Sequence, residues 1–191
     1  AKVFGAEVFC NDKGDFEIDK PTPMFDSFEE YFEDFLDLAK INPMKTEKIL
    51  LAGATGYLGQ YILAVLLREE YPTRIVVRNK SKISPALLTH PLLEVVEAEV
   101  TQPDTLRGVC KGVHKVISTI GITRQKDGLT YEQVDFQANK NLLDEALREG
   151  VRKFIYVSVF KGEAMRHIAI GAAKERFVDA LKASGLDYCI I

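Results

Sequence analysis

Three glycines spaced three residues apart constrain the fold of this chain more than any other feature. The apolar run of residues 48–52 leads into Gly53, Gly56 and Gly59, and a helical pattern of apolar residues follows. This order is typical of a strand, a tight turn and a helix N-terminus whose N–H groups and dipole face an anion. Gly53 permits a turn conformation that other residues avoid, Gly56 allows close approach to a pyrophosphate, and Gly59 allows close helix–strand packing. The sequence therefore predicts a phosphate-binding turn.

Strand-like and helix-like segments alternate from residue 47 to residue 191. Six short apolar segments have the length of strands, and the segments between them show helical spacing or helix boundary signals. The predicted strands cover residues 47–53, 73–77, 93–100, 114–120, 152–159 and 187–191. The predicted helices cover residues 57–70, 84–90, 103–111, 130–149 and 164–183. This alternation predicts an α/β fold, a doubly wound parallel sheet with helices on both faces and a ligand site beyond the carboxyl ends of the strands.

Composition argues against several functional classes. With 191 residues, 47% of them hydrophobic, the chain is long enough for one domain with an appendage. No run of about 18 apolar residues occurs, so we predict no membrane span. The net charge of −3 gives no reason to expect nucleic-acid binding. The three cysteines are far apart and include no CxxC pair, so we predict neither a disulfide framework nor a metal site. The N-terminus also lacks a signal peptide pattern, and together these features predict a cytoplasmic location.

Residues 1–43 differ from the rest of the chain in charge. They contain 11 acidic and 4 basic residues, whereas the remainder is net basic, so we predict an N-terminal appendage followed by a domain over residues 44–191. Residues 3–10 and 15–18 are predicted strands of a hairpin, and residues 27–39 a helix with one aromatic and one acidic face. That helix either packs on the following domain or mediates a homodimer or a protein partner contact.

Arg78 closes the second predicted strand, about 19 residues after Gly59. Dinucleotide-binding domains selective for NAD usually place an acidic residue here, which accepts hydrogen bonds from the ribose hydroxyls. An arginine instead favours a 2′-phosphate, with Lys80 nearby. Lys80 by itself is more typical of a solvated basic turn. We therefore predict NADP as the cofactor, in preference to NAD.

Five segments resemble the atypical short-chain dehydrogenase/reductase superfamily, in particular its NmrA-like members. They are GATGYLG at 53–59, VVRNKSK at 76–82, VISTIG at 116–121, VDFQANKNLLDEALREGVRKFIYVSV at 134–159 and AKERFVDALKASGLDYCII at 173–191. The resemblance covers about three-quarters of the chain and implies an NADP- or NAD-binding Rossmann domain. Members of the superfamily include reductases, nucleotide-sugar epimerases, redox-sensing regulators and assembly factors.

The resemblance also implies a set of cofactor-binding residues. In chain order these are Gly53, Thr55, Gly56, Tyr57, Leu58, Gly59, Arg78, Glu99, Val100, Ser118, Thr119, Ile120, Gly121, Val157 and Lys174. The first six would lie along the pyrophosphate, Arg78 at the adenosine phosphate, and the next two beside the adenine. Residues 118–121 would pass under the ribose and nicotinamide, supported by Asn139.

The implied catalytic residues are Lys174 and Ser158. Lys174 matches the lysine that holds the nicotinamide ribose, and Ser158 matches a Ser or Thr at the end of the fifth strand. Catalytic members usually place a tyrosine four residues before this lysine, where its phenol exchanges a proton with the substrate oxygen. In this chain that position is Ile170. Either Lys174 or His167 would then supply the acid, or the dinucleotide is bound without being turned over.

The sequence therefore leaves two functions open. The first is an NADP(H)-dependent oxidoreductase that passes hydride to a small carbonyl, quinone or conjugated substrate. The second, favoured by Ile170, is a catalytically degenerate NADP-sensing regulator or scaffold that binds a protein partner. An epimerase is a weaker third option, because its chemistry also depends on the missing tyrosine. Proteins of the superfamily continue past the sixth strand into a substrate-binding region, so we expect the chain to lack most of a substrate pocket.

Overall fold

A computed structural model describes residues 8–10, 16–18, 46–122 and 128–191. Near the N-terminus, strands β1 (Val8–Cys10) and β2 (Phe16–Ile18) pair in antiparallel register. This pairing agrees with the predicted hairpin over these residues; the rest of the predicted strands 3–10 and 15–18, and the turn between them, lie outside the described residues. The predicted helix at residues 27–39 lies outside the described residues.

The main sheet contains six parallel strands in the order β5-β4-β3-β6-β7-β8. The strands are β3 (Ile49–Ala52), β4 (Thr73–Val77), β5 (Leu93–Glu97), β6 (Lys115–Ser118), β7 (Lys153–Tyr156) and β8 (Asp187–Ile190). The chain moves outward from β3 to β5 and then returns to the other side of β3. The strand order therefore switches between β3 and β6, where doubly wound sheets bind their ligands. The predicted fold class is confirmed.

Helical segments cover the connections between these strands. They are α1 (Tyr57–Arg68), α2 (Pro85–Leu88), α3 (Asn139–Arg148) and α4 (Ala169–Lys182), with 3₁₀ turns at Lys80–Lys82, Pro103–Leu106 and Gly162–Met165. The segment predicted as one helix at residues 130–149 is a π-helix over Glu132–Ala138 that continues into α3. A reciprocal capping box starts it, because Thr130 Oγ1 accepts from the Gln133 N–H and the Gln133 side chain accepts from the Thr130 N–H.

Strand β5 is shorter than predicted. It ends at Glu97, which pairs with Val77, the last residue of β4. The Ala98 N–H still donates to the Val77 carbonyl at 3.0 Å, but β4 ends there, so residues 99–101 leave the sheet. The predicted extension of this strand to Val100 is therefore wrong, and the released residues become available to a ligand site.

The core is centred on β3 and on an aromatic cluster between the sheet and α4. All four residues of β3 are fully buried, as expected for a central strand of a parallel sheet. Phe177 of α4 packs against Phe154 at 5.7 Å and edge-on against Tyr156 at 4.7 Å between ring centroids. Tyr156 is fully buried, so its ring is part of this core.

A buried arginine joins the sheet to the loop before β6. The Nη1 group of Arg74 donates to the carbonyl oxygens of Val109 and Lys111 at 2.7 and 2.9 Å, and Nη2 donates to Glu94 at 2.8 Å. Cys110 lies between the two carbonyls and is fully buried. Burial, with a smaller contribution from the charge of Glu145, raises the pKa of the Cys110 thiol to about 12. Arg74 therefore holds this loop against the sheet.

Glu47 carries a testable pH dependence of stability. Its carboxylate contacts Lys115 Nζ at 2.8 Å and Arg152, and the Lys115 hydrogen bond, with a further contribution from Arg152, lowers the pKa of Glu47. A pKa lowered by folding stabilises the protein above the unfolded value of about 4.3, and this stabilisation disappears as the pH falls through the folded value. We expect Glu47→Gln to cost about 1 kcal/mol or less at pH 7, and progressively less as the pH falls below the unfolded value.

Thermal unfolding between pH 3 and 7 measures this difference. Asp104→Asn is the control, because Asp104 pairs with Arg107 at a highly exposed position. A stability difference for Glu47→Gln that stays constant across this pH range would contradict the assignment.

Candidate functional site

A cleft of about 410 Å³ lies at the carboxyl ends of β3, β4, β5 and β6. It is placed at the switch in strand order, where the sheet opens between β3 and β6. Nine of the predicted cofactor-binding residues line it: Gly53, Thr55, Gly56, Arg78, Glu99, Val100, Thr119, Ile120 and Gly121. Residues that are distant in sequence therefore lie together in the lining of this cleft.

The glycine turn has the geometry of an anion cradle. Gly53 has a φ of +89°, and its carbonyl accepts from the Gly56 N–H at 2.9 Å. A Cβ at Gly59 would lie 2.1 Å from the Gly53 carbonyl oxygen, so α1 packs against the turn as only glycine allows. No side chain caps the N-terminus of α1, and its first turn holds no acidic residue. The turn therefore fits the diphosphate of a dinucleotide.

The basic end of the cleft is formed by the turn after β4. Asn79 Oδ1 accepts from the Ser81 N–H at 2.8 Å, and Glu97 accepts from the Lys80 N–H at 2.9 Å. In this arrangement Lys82 lines the cleft together with Arg78, whereas Lys80 does not. Two cations that line the same cleft as the glycine turn suit a second phosphate.

Glu99, which is predicted to lie beside the adenine, lines the cleft in a fixed orientation. Its carboxylate accepts from the Thr101 N–H at 3.2 Å and from the Thr101 hydroxyl at 3.0 Å, while its own N–H donates to Thr105. Val100 and Thr101 line the cleft beside it. This segment consists of the residues that leave the sheet after β5.

Ser118 supports the cleft from behind. It is fully buried, and its hydroxyl donates to Asn139 Oδ1 at 2.5 Å. Asn139 Nδ2 in turn donates to the Ile120 carbonyl at 3.2 Å. The predicted supporting role of Asn139 agrees with these bonds, and Ser118 lies one layer below the lining residues Thr119 and Ile120.

Lys174 also lies behind the lining. Its Nζ is 3.0 Å from Asp135 Oδ1 and donates to the Tyr156 hydroxyl at 3.4 Å. A Cβ at Gly121 would lie 2.8 Å from Lys174 Nζ, so the ammonium sits directly behind this glycine. Burial, followed by the charges of Asp135 and Glu175, raises the pKa of Tyr156. The phenol therefore stays protonated at neutral pH.

The remaining predicted residues lie outside the lining of the cleft. Tyr57 is 70% exposed and contacts the Tyr61 ring edge-on, while Leu58 and Gly59 belong to the packed start of α1. Val157 and Ser158 follow β7, where the Ser158 N–H donates to the Ile191 carbonyl at 2.7 Å. The buried Ser158 hydroxyl has no hydrogen-bond partner within the described residues.

His167, considered as an alternative acid, is exposed and its Nδ1 lies 2.9 Å from the Ala164 carbonyl. It does not line the cleft. Ile170 is partly buried at the start of α4. The structure thus brings neither residue to the lining of the candidate site.

Sequence reasoning missed several residues of the site. Besides Lys82 and Thr101, the cleft is lined by Val76, Val77, Asn79, Ala98, Ile122, Leu129 and Val134. The π-helix residue Asp135, fully buried behind the lining, was also missed. The available signal was an acidic residue flanked by Val134 and Ala138, which lie on the buried face of that helix.

The described residues contain neither a candidate metal-binding group nor a candidate membrane-spanning helix. No group of three or more His, Cys, Asp or Glu side chains there could hold a metal ion. Nor does any helix in the described ranges have the length and apolar character needed to cross a membrane.

Known proteins share both the sequence and the fold of this region. A family model described as NAD(P)H-binding matches residues 53–191. The photosystem II assembly factor Ycf39 of Cyanophora paradoxa is 33% identical over 142 residues, which cover 74% of this chain and 43% of the relative. An uncharacterized chloroplastic protein of Arabidopsis thaliana is 32% identical over 166 residues, covering 78% and 59%. The chain thus spans about half the length of these curated relatives.

A solved structure confirms the fold. The NADPH-dependent quinone oxidoreductase of Escherichia coli, complexed with NADPH, superposes with a TM-score of 0.61 at 23% identity, covering 74% of this chain and 47% of that chain. The resemblance to NAD(P)-binding Rossmann proteins is therefore confirmed. On the match of its glycine turn, sheet and following helices, the chain belongs to the NAD(P)H-binding family.

Proposed function

We propose that the chain binds NADP(H) in the cleft and acts as an atypical short-chain dehydrogenase/reductase. The proposal is carried by one observation, the meeting of the glycine turn with Arg78 and Lys82 in the same cleft. The turn fits a diphosphate, and the two cations fit the 2′-phosphate that distinguishes NADP from NAD. The dinucleotide, when bound, supplies hydride chemistry, and the chain supplies binding and orientation.

The two cations lead to a prediction on cofactor preference. We expect Arg78→Ala and Lys82→Ala each to weaken NADPH binding by about 1–3 kcal/mol and to leave NADH binding nearly unchanged. Lys80→Ala is the matched control, because Lys80 belongs to the same turn but does not line the cleft. Calorimetric titration of the purified variants measures both affinities. Equal losses for NADPH and NADH would rule out a 2′-phosphate contact.

The groups around the cleft favour some hydride acceptors over others. Ile170 replaces the usual proton-donating tyrosine, and Tyr156 is buried with a raised pKa. Hydride addition to a simple ketone produces an alkoxide that needs a proton at once. Addition to a quinone or a conjugated system leaves a delocalised anion, comparable to a phenolate with a pKa of about 10. We therefore propose quinones or conjugated carbonyl compounds as the preferred acceptors, with simple carbonyl compounds as poor ones.

A second candidate function is a dinucleotide-sensing regulator or scaffold. The relative named as a photosystem II assembly factor favours this alternative, as does Ile170 in place of the tyrosine. In this case the bound dinucleotide stabilises a conformation that a protein partner recognises. The helix predicted at residues 27–39 is the proposed partner or homodimer surface, and it lies outside the described residues. The cytoplasmic location is likewise a prediction that cell fractionation would test, since one relative is chloroplastic.

A titration followed by an activity screen separates the two functions. The purified chain is titrated with NADPH and NADH, and oxidation of NADPH is then followed by absorbance with a panel of quinones, enones and ketones. NADPH binding with oxidation by quinones supports the reductase. Binding without turnover of any acceptor in the panel favours the regulator, and failure to bind either dinucleotide contradicts both.

A further inference from the structure

A buried ion pair connects α4 to the π-helix beneath the cleft. Asp135 is fully buried, and its Oδ1 lies 3.0 Å from Lys174 Nζ, on a side chain that is 12% exposed. The Lys174 ammonium also donates to Tyr156 and lies 5.5 Å from the centre of its ring. An ammonium has three N–H donors. The hydrogen bond to Tyr156 uses one of them, whereas the contact with Asp135 is an ion pair whose Oδ1 accepts no hydrogen bond from the described residues.

Both partners touch the backbone that forms the inner wall of the cleft. Asp135 Oδ2 accepts from the Ile122 N–H at 3.3 Å. A Cβ at Gly121 would lie 2.7 Å from Asp135 Oδ1 and 2.8 Å from Lys174 Nζ. Gly121 and Ile122 both line the cleft. Because Gly121 has no side chain, Asp135 and Lys174 lie directly against the backbone that lines the cleft.

The same two helices are also joined at their surface. Arg176 of α4 contacts Glu132 of the π-helix, with both side chains about half exposed, and its guanidinium lies 4.1 Å from the centre of the Phe136 ring. Removing two charges from water usually costs more than their attraction returns. A buried pair is thus a costly means of docking two helices that already have an exposed ion pair, so its position points to another role.

We propose that Asp135 is a positioning residue that holds the Lys174 ammonium behind Gly121 through their ion pair, where an N–H not used by Tyr156 reaches a hydroxyl of a ligand bound in the cleft. The hydrogen bond from the Ile122 N–H to the same carboxylate holds the backbone of Gly121 and Ile122 in a fixed position relative to that ammonium. The inference rests on the proposed dinucleotide function for its ligand, but the ion pair itself can be examined without any ligand.

The first experiment detects the ammonium directly. An ¹⁵N-edited NMR spectrum of the ligand-free chain is expected to show a slowly exchanging lysine ammonium signal, assigned by its loss in Lys174→Met. Asp135→Asn should abolish this signal, whereas the control Glu132→Gln, which removes the surface pair between the same helices, should keep it. A signal that survives Asp135→Asn would overturn the role of Asp135 whether or not the chain binds a dinucleotide.

The second experiment tests whether Asp135 acts through Lys174. We expect Asp135→Asn to weaken NADPH binding about 10-fold in the otherwise unaltered chain and less than about 2-fold in the Lys174→Met background. Glu132→Gln should leave the affinity within about 2-fold of the unaltered chain. The same loss in both backgrounds would contradict the proposal, because a purely structural effect does not depend on Lys174.

Gly121→Ala serves if Asp135→Asn does not fold. The added methyl group displaces Lys174 Nζ from the wall without removing either charge, so the ammonium signal should shift and the affinity for NADPH should fall by a similar factor. An unchanged signal with unchanged affinity would overturn the proposal. If the unaltered chain fails to bind NADPH, the proposed function is contradicted, and the ammonium signal still decides whether Asp135 holds Lys174.

Discussion

Replacing Gly59 by alanine is expected to lower thermal stability and abolish dinucleotide binding together. The new Cβ would lie 2.1 Å from the Gly53 carbonyl oxygen, 2.7 Å from its carbonyl carbon and 2.9 Å from Ala54 Cα. All three atoms belong to the backbone, so no side-chain rotation can relieve the contact. Helix α1 must move away from the turn, which costs about 1–3 kcal/mol or more for an overpacked interior. At about 2–4 °C per kcal/mol, Tm should fall by several degrees.

Gly56→Val provides the contrast for this prediction. Gly56 has a φ of −77°, which valine can adopt, and a Cβ there would meet only the Gly53 carbonyl oxygen, at 3.2 Å. Because Gly56 lines the cleft, this variant should lose its affinity for either dinucleotide while losing less Tm than Gly59→Ala, apart from the modest cost of valine at the N-cap of α1. Differential scanning calorimetry and ligand titration measure the two effects separately. If Gly59→Ala bound NADPH with normal affinity, the glycine turn would not be part of the dinucleotide site.

Arg74→Met is expected to destabilise the chain by about 2–4 kcal/mol without a change in the cleft itself. The substitution leaves the buried carbonyl oxygen of Val109 and the partly buried one of Lys111 without their guanidinium donor, and methionine fills most of the volume but donates nothing. Urea unfolding followed by circular dichroism measures the loss.

Glu94→Gln is the matched control for Arg74→Met. It weakens the contacts that a 45% exposed side chain makes with Arg74 and Lys48, and Arg74 keeps both carbonyl acceptors. Its cost should therefore stay below about 1 kcal/mol. Equal destabilisation by the two variants would show that the ion pair, and not the pair of carbonyl bonds, accounts for the role of Arg74.

Local signals in the sequence were sufficient for the strands, the glycine turn and the fold class. The turn residues Gly53 and Gly56 are recognisable because their chemistry depends on neighbours within a few positions, and the apolar segments carry their own periodicity. The same holds for Arg78, whose place follows from the end of a strand that was predicted with the observed boundaries.

The rest of the site depends on contacts that local patterns do not contain. The choice of Lys82 over Lys80 follows from a 3₁₀ turn held by Glu97 on the neighbouring strand. The withdrawal of Lys174 behind Gly121 follows from its pairing with Asp135, which lies 39 positions earlier on another helix. Both arrangements arise only when separate elements pack, so the sequence could name the types of residue at the site but not all of their positions.

Cys110 can report on the opening of the loop that Arg74 holds against the sheet. Alkylating reagents attack the thiolate, and Cys110 is fully buried with a pKa raised to about 12, so its thiol reacts only when the surrounding structure opens. Since the two carbonyl oxygens that flank Cys110 are the ones Arg74 holds, the alkylation rate of this residue measures how often that loop detaches from the sheet. Compared with the rate of global unfolding, it would distinguish a local opening beneath β6 from loss of the whole fold.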